Sequence, residues 1–177
     1  MLKRIEVNLE AIESLYFFWV AARNKENVSE RFFHDIGEMS AVKSMFDDEF
    51  NEESVRRTLS AIKNREPFSG NKKERKFWNL NMWMMEDFDY TDSIIRPVKK
   101  LNLDDLVSKM DGVQNTQGIE DIEVIFSPMP LEEALIKGNK LLINFFWVKP
   151  GATDDEPLFG QGTLKDFIQD QIKKMLV

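Results

Sequence analysis

The stretch "LEEALIKGNKLLINFFWV", residues 131 to 148, restricts the possible folds more than any other part of the chain. Two apolar segments flank Gly138-Asn139, a dipeptide suited to a two-residue turn with positive backbone φ, and the spacing predicts a β-hairpin over about 131–148. Ile136 then faces Leu141, Ala134 faces Ile143 and Glu132 faces Phe145. In this register one side of the hairpin carries Ala134, Ile136, Leu141, Ile143, Phe145 and Trp147, and the other carries Leu131, Leu135, Leu142, Phe146 and Val148. A strand that is apolar on both sides must be covered twice, by two helical layers or by a second subunit.

Just before the hairpin, Ile122, Val124 and Phe126 alternate with Asp121 and Glu123, a period of two that predicts a strand closed by Pro128 and Pro130. The earlier part of the chain follows the helical period instead. Asn8 caps a predicted helix to about Asn24, with Leu9, Ile12, Tyr16, Trp19 and Val20 on one side. A second helix, about 29–39, buries Phe32, Ile36 and Met39. Asn51 opens a third with Val55, Leu59 and Ile62 inward, and Asn102 opens a short one ended by Gly112. Thr163 and Asp166 start a helix to the C-terminus that turns Leu164, Phe167, Ile168, Ile172 and Met175 inward. The expected class is α+β: mainly helical through the first two thirds, then a small antiparallel sheet and a C-terminal helix. Its 177 residues suit a single compact domain, divisible into a helical lobe 1–112 and an α+β lobe 113–177.

Residues 77 to 92, "FWNLNMWMMEDFDYTD", crowd aromatic and methionine side chains ahead of a group of acids. Read as a strand, the segment places Trp78, Leu80, Met82, Met84, Phe88 and Tyr90 on one face and Asn79, Asn81, Asp87 and Asp89 on the other. That alternation favours extended structure, with most of the large side chains in the core. Its functional reading is a pocket with Trp78, Trp83 and Tyr90 as floor and Glu86, Asp87, Asp89 and Asp92 as rim, suited to a cation or an amine. A methionine-rich, adaptable contact surface is the other reading.

Several chemistries are excluded by residue type. Without cysteine there is no disulfide, zinc-thiolate site or thiol nucleophile, and the chain fits a reducing compartment. His34 is the only histidine, and no G-x-S-x-G elbow or phosphate-binding glycine loop accompanies it. Glu30, His34 and Glu38 form an E-x3-H-x3-E row on one helical face, which can hold a divalent ion if another ligand arrives from elsewhere. Alternatively the row is a solvated polar face. A net charge of −7 argues against a phosphate-tracking nucleic-acid surface, and the densest basic run is only "NKKERK", residues 71 to 76. The apolar run "LYFFWVAA" is far shorter than the ~20 residues a membrane span requires. These features lead us to expect a cytoplasmic binding or regulatory module without a cofactor, acting through a protein partner or through self-association. The alternative is a metal-assisted hydrolase or small-molecule enzyme using its carboxylates and His34.

Overall fold

The computed structural model describes all 177 residues. Strand β1 (Arg4–Asn8) leads into helix α1 (Glu10–Arg23), followed by α2 (Glu30–Glu38), α3 (Ser40–Lys43), α4 (Glu52–Asn64), α5 (Lys72–Glu86), α6 (Phe88–Lys99) and α7 (Asp104–Lys109). Strands β2 (Asp121–Ser127), β3 (Ala134–Lys137) and β4 (Lys140–Asn144) come next. A 3-10 turn (Phe145–Trp147), the short strands β5 (Val148–Lys149), β6 (Leu158–Phe159) and β7 (Gly162–Thr163), and helix α8 (Leu164–Leu176) complete the chain. The class is α+β, with eight helices.

The hairpin forms in the expected register, Ile136 opposite Leu141 and Ala134 opposite Ile143. Only Gly138 of the turn takes a positive φ, 61°, which is the sign pattern of a type II′ turn. It is shorter than expected, because the fully buried Asn144 ends β4. Its side-chain amide donates to the carbonyls of Met129 and Glu132, each at 2.9 Å, and its oxygen accepts from the Phe146 amide at 3.0 Å. The chain therefore bends into the 3-10 turn, and the pairing of Glu132 with Phe145 does not form.

The hairpin belongs to a larger sheet of order β1-β2-β4-β3, in which β1, β2 and β4 are parallel and only β3 is antiparallel. A second, three-stranded antiparallel sheet joins β5, β6 and β7. The mixed character of the first sheet departs from the antiparallel sheet expected, and β1 departs from the expectation of helix from Asn8 alone. "RIEVN" is too short to announce a strand, and its partner lies at the other end of the chain, Ile5 opposite Ile122 and Val7 opposite Val124. Leu141, Leu142 and Ile143 of β4 and Ile122, Val124, Ile125 and Phe126 of β2 are all buried, so both faces of the central strands are covered within this one chain. Helices α1 and α3 contact β2, and α7 contacts β1.

Helix α1 is embedded on more than one side, as expected of a helix apolar nearly all round in its second half. Leu15 and Phe18, which the expected stripe leaves out, are fully buried with Ile12 and Trp19, whereas Phe17 remains 57% exposed. In α2, Phe33 rather than Phe32 is the fully buried aromatic, packed edge-on against Phe18. The Trp19 indole donates to Asn81 Oδ1 at 2.9 Å, and Asn81 donates to the Phe77 carbonyl at 2.8 Å. This buried polar pair is fully partnered, and it locks α1 to α5.

Asn8 and Asn102, expected as caps, stand one residue outside the helix starts: Leu9 and Leu103 occupy the cap positions of α1 and α7, and the asparagine side chains accept from the Glu10 and Asp104 amides instead. Three other starts carry side-chain caps. Asn51 and Ser54 close a reciprocal capping box on α4, Asn71 and Glu74 another on α5, and Thr163 accepts from the Asp166 amide on α8. Residues 77 to 86 are helical and not extended, continuing the helix that the Asn71 box starts. Once α5 starts there, its methionines and leucines are good helix formers, and contacts with α1, α4 and α6 take up apolar side chains on several sides. A helix packed on several sides imitates a period of two.

Candidate functional site

The segment singled out in the sequence becomes the helix pair α5 and α6, broken at Asp87, whose carboxylate caps α6 by accepting from the Tyr90 amide at 3.1 Å. Phe77, Asn81 and Met84 face the core. The remaining apolar residues of α5 form two flanking strips. On one side Trp78, Met82 and Met85 line a cleft of about 240 Å³ against Ala61, Ile62 and Arg65 at the end of α4. Phe68 stacks over Trp78 with centroids 6.5 Å apart, and the buried Trp78 Nε1 finds no acceptor in the chain.

On the other side a cleft of about 400 Å³ is lined by Lys76, Asn79, Leu80, Trp83, Met84, Tyr90 and Phe146. Trp83 is 61% exposed here, the most open aromatic side chain of the protein. The structure thus brings Trp83 and Tyr90 to one cleft and sends Trp78 to another. The acids do not rim the aromatic cleft as the sequence suggested. Glu86, Asp87 and Asp89 are exposed at the α5–α6 junction, Asp87 is occupied as a cap, and Asp92 pairs with Arg96 one turn along α6. The only charged lining residue is Lys76. Burial raises the Tyr90 hydroxyl above its ordinary pKa, and the negative charge of Asp87 adds to the effect.

The histidine row is also rearranged. Glu30 turns away to Ser60 Oγ at 2.7 Å and to Arg56. Its place is taken by Glu52, the first residue of α4: His34 Nδ1 lies 2.9 Å from Glu52 Oε1, and His34 Nε2 lies 3.5 Å from Glu38 Oε1. One ligating atom from each of His34, Glu38 and Glu52 falls within 4.8 Å of the others. Gly37 leaves room for the Glu52 side chain in this position, since a Cβ there would lie 2.9 Å from Glu52 Cγ. Hydrogen bonding with Glu52 and the nearby Lys43 ammonium hold the Glu38 carboxyl below the usual glutamate range. Glu52 was legible in the sequence only as a first-turn acid favoured by the helix dipole, and nothing local tied it to His34. All three side chains are substantially exposed, a setting in which a histidine beside two carboxylates is an ordinary surface arrangement.

No helix is long and apolar enough to cross a membrane. No protein-family model matches the chain, and no curated protein or solved structure is significantly similar to it.

Proposed function

We propose that this chain is a protein-binding module whose contact surface is the outward side of α5. The observation that carries this reading is Trp83, left open beside a cleft walled by Leu80, Met84, Tyr90 and Phe146. Burying a side chain of that size would contribute roughly 2 kcal/mol or more, and tryptophan is among the residues that most often dominate the energy of an interface. The methionines on the adjacent strip give the surface room to adjust. Self-association, where it occurs, has its support on this face and not on the sheet, whose central strands the chain already covers. Parallel affinity capture with wild type and Trp83→Ser, quantified by mass spectrometry, tests the reading. Proteins or further copies of the chain retained by wild type and lost by the variant are expected. Identical retention by both overturns it.

A second reading rests on Glu52 joining His34 and Glu38: a divalent-ion site at the α2–α4 contact, with open positions for water and metal-assisted chemistry. Under this reading Zn²⁺ or Mn²⁺ raises the melting temperature of wild type, and His34→Ala abolishes the rise. An unchanged melting temperature with both ions removes the reading.

A further inference from the structure

The outward strip of α5 is electrically polarised. Lys72, Lys76, Asn79 and Trp83 follow one another at four- and three-residue steps and so share one side of the helix, with Glu86 one turn further on. Lys72 and Lys76 are exposed and neither meets a carboxylate. Arg75, between them, is also exposed and meets no carboxylate, donating instead to the Gly70 carbonyl at 3.0 Å, whereas Lys73 and Glu74 are paired. Lys73 reaches Asp47 and Glu132, and Glu74 serves the helix cap and Arg57.

Lys72 and Lys76, like Arg75, also occupy the wrong end of the helix for stability. They stand in its first turns, at the positive pole of the macrodipole, while its last turn holds no base. The stability of the fold gives no reason for this placement. Together with the helix N-terminus the lysines make a positive corner on an acidic protein, continuous through Lys76 with the aromatic cleft.

We propose that the occupant of this face is an acidic segment of another protein, which sets one large apolar side chain between Trp83, Tyr90 and Phe146 and lays its carboxylates on Lys72 and Lys76. This rests on the reading of α5 as a contact surface and adds the partner's charge and direction. The step from Lys76 to Trp83 spans about 10 Å along the helix axis, the reach of about three extended residues. The segment therefore carries its acids about three positions from the anchor. It carries them on one side only, because Glu86 repels acids at the far end. The cleft of about 400 Å³ has room for a phenylalanine, leucine or tryptophan side chain.

A display library of random short peptides, selected on wild type and counter-selected on Trp83→Ser, tests the proposal. Enrichment of aspartate or glutamate about three positions to one side of a large apolar residue is expected. Binding of such a peptide should weaken about tenfold on raising salt. It should weaken at least about tenfold with Trp83→Ser. The double variant Lys72→Glu/Lys76→Glu should shift selection toward lysine and arginine. Its fold is checked by melting temperature, which should not fall, since acids suit the start of a helix. Trp83-dependent peptides without acid enrichment, or salt-insensitive binding, overturn the acidic partner and leave α5 as the contact surface. Failure to enrich any Trp83-dependent peptide overturns the proposal of a segment as occupant. If capture is also unchanged by Trp83→Ser, the contact-surface reading falls with it.

Discussion

Two stretches of nearly equal apolar density, residues 77 to 85 and 141 to 146, differ in exposure. In the second, every large side chain from Leu141 to Phe146 is buried, because β4 lies inside a sheet covered on both faces and Asn144 fastens the turn that follows. In the first, a helix buries one side on Trp19 and its neighbours and leaves Trp83 in the open. Density of apolar residues does not determine exposure. A central strand has two faces that both meet protein, whereas a helix at the edge of the core keeps an outer side whatever its composition.

The two tryptophans of this contrast provide its most severe test. Trp19→Ala removes a fully buried ring and leaves Asn81 without its donor, and we expect a loss of about 3–5 kcal/mol in urea unfolding. Trp83→Ser should change stability by no more than about 0.5 kcal/mol in the same measurement. Comparable losses for both would mean that Trp83 supports the fold and is not a free contact. A smaller effect is expected at the ionic tie between α5 and the loops at Asp47 and Glu132. Burial alone would raise the Asp47 carboxyl, but the Lys73 ammonium and the amides of Glu49 and Phe50 outweigh it and hold the group below the usual aspartate range. A carboxyl depressed in the folded state contributes stability that is present above its unfolded pKa, about 4, and is lost as pH falls through the folded value. Lys73→Met should therefore lower stability near neutral pH and flatten the loss below about pH 4, read from melting temperature against pH. Parallel pH profiles for wild type and variant would show that the tie contributes nothing.

Local rules made the hairpin and most of the helix starts legible. Gly138-Asn139 set the register by itself, and Asn51 and Thr163 marked their helices through bonds to residues three positions away. What was not legible depends on partners distant in sequence. Strand β1 is a strand because β2 lies beside it, and α5 carries apolar side chains beyond a single stripe because α1, α4 and α6 all meet it. The candidate site divides in the same way. Trp78, Trp83 and Tyr90 were grouped as one floor, of which only Trp83 and Tyr90 share a cleft; Phe146 joins them only through the fold, and Lys76 was visible only as part of a basic run. The replacement of Glu30 by Glu52 beside His34 uses the room left at Gly37, which no spacing rule contains.

The parallel pairing of β1 with β2 also bears on how the molecule is made. As the chain emerges from N- to C-terminus, β1 and seven helices precede the strand against which β1 must lie. The main sheet cannot close until β4 has been synthesised, so contacts of high sequence separation form late and the folding rate is set by topology more than by helix formation. Until then the core side of α1, Trp19 above all, stands without the 3-10 turn whose Phe145 and Phe146 later complete its packing. The nascent chain is in this interval a set of helices with exposed apolar surface, the state in which a protein of this kind is most open to aggregation.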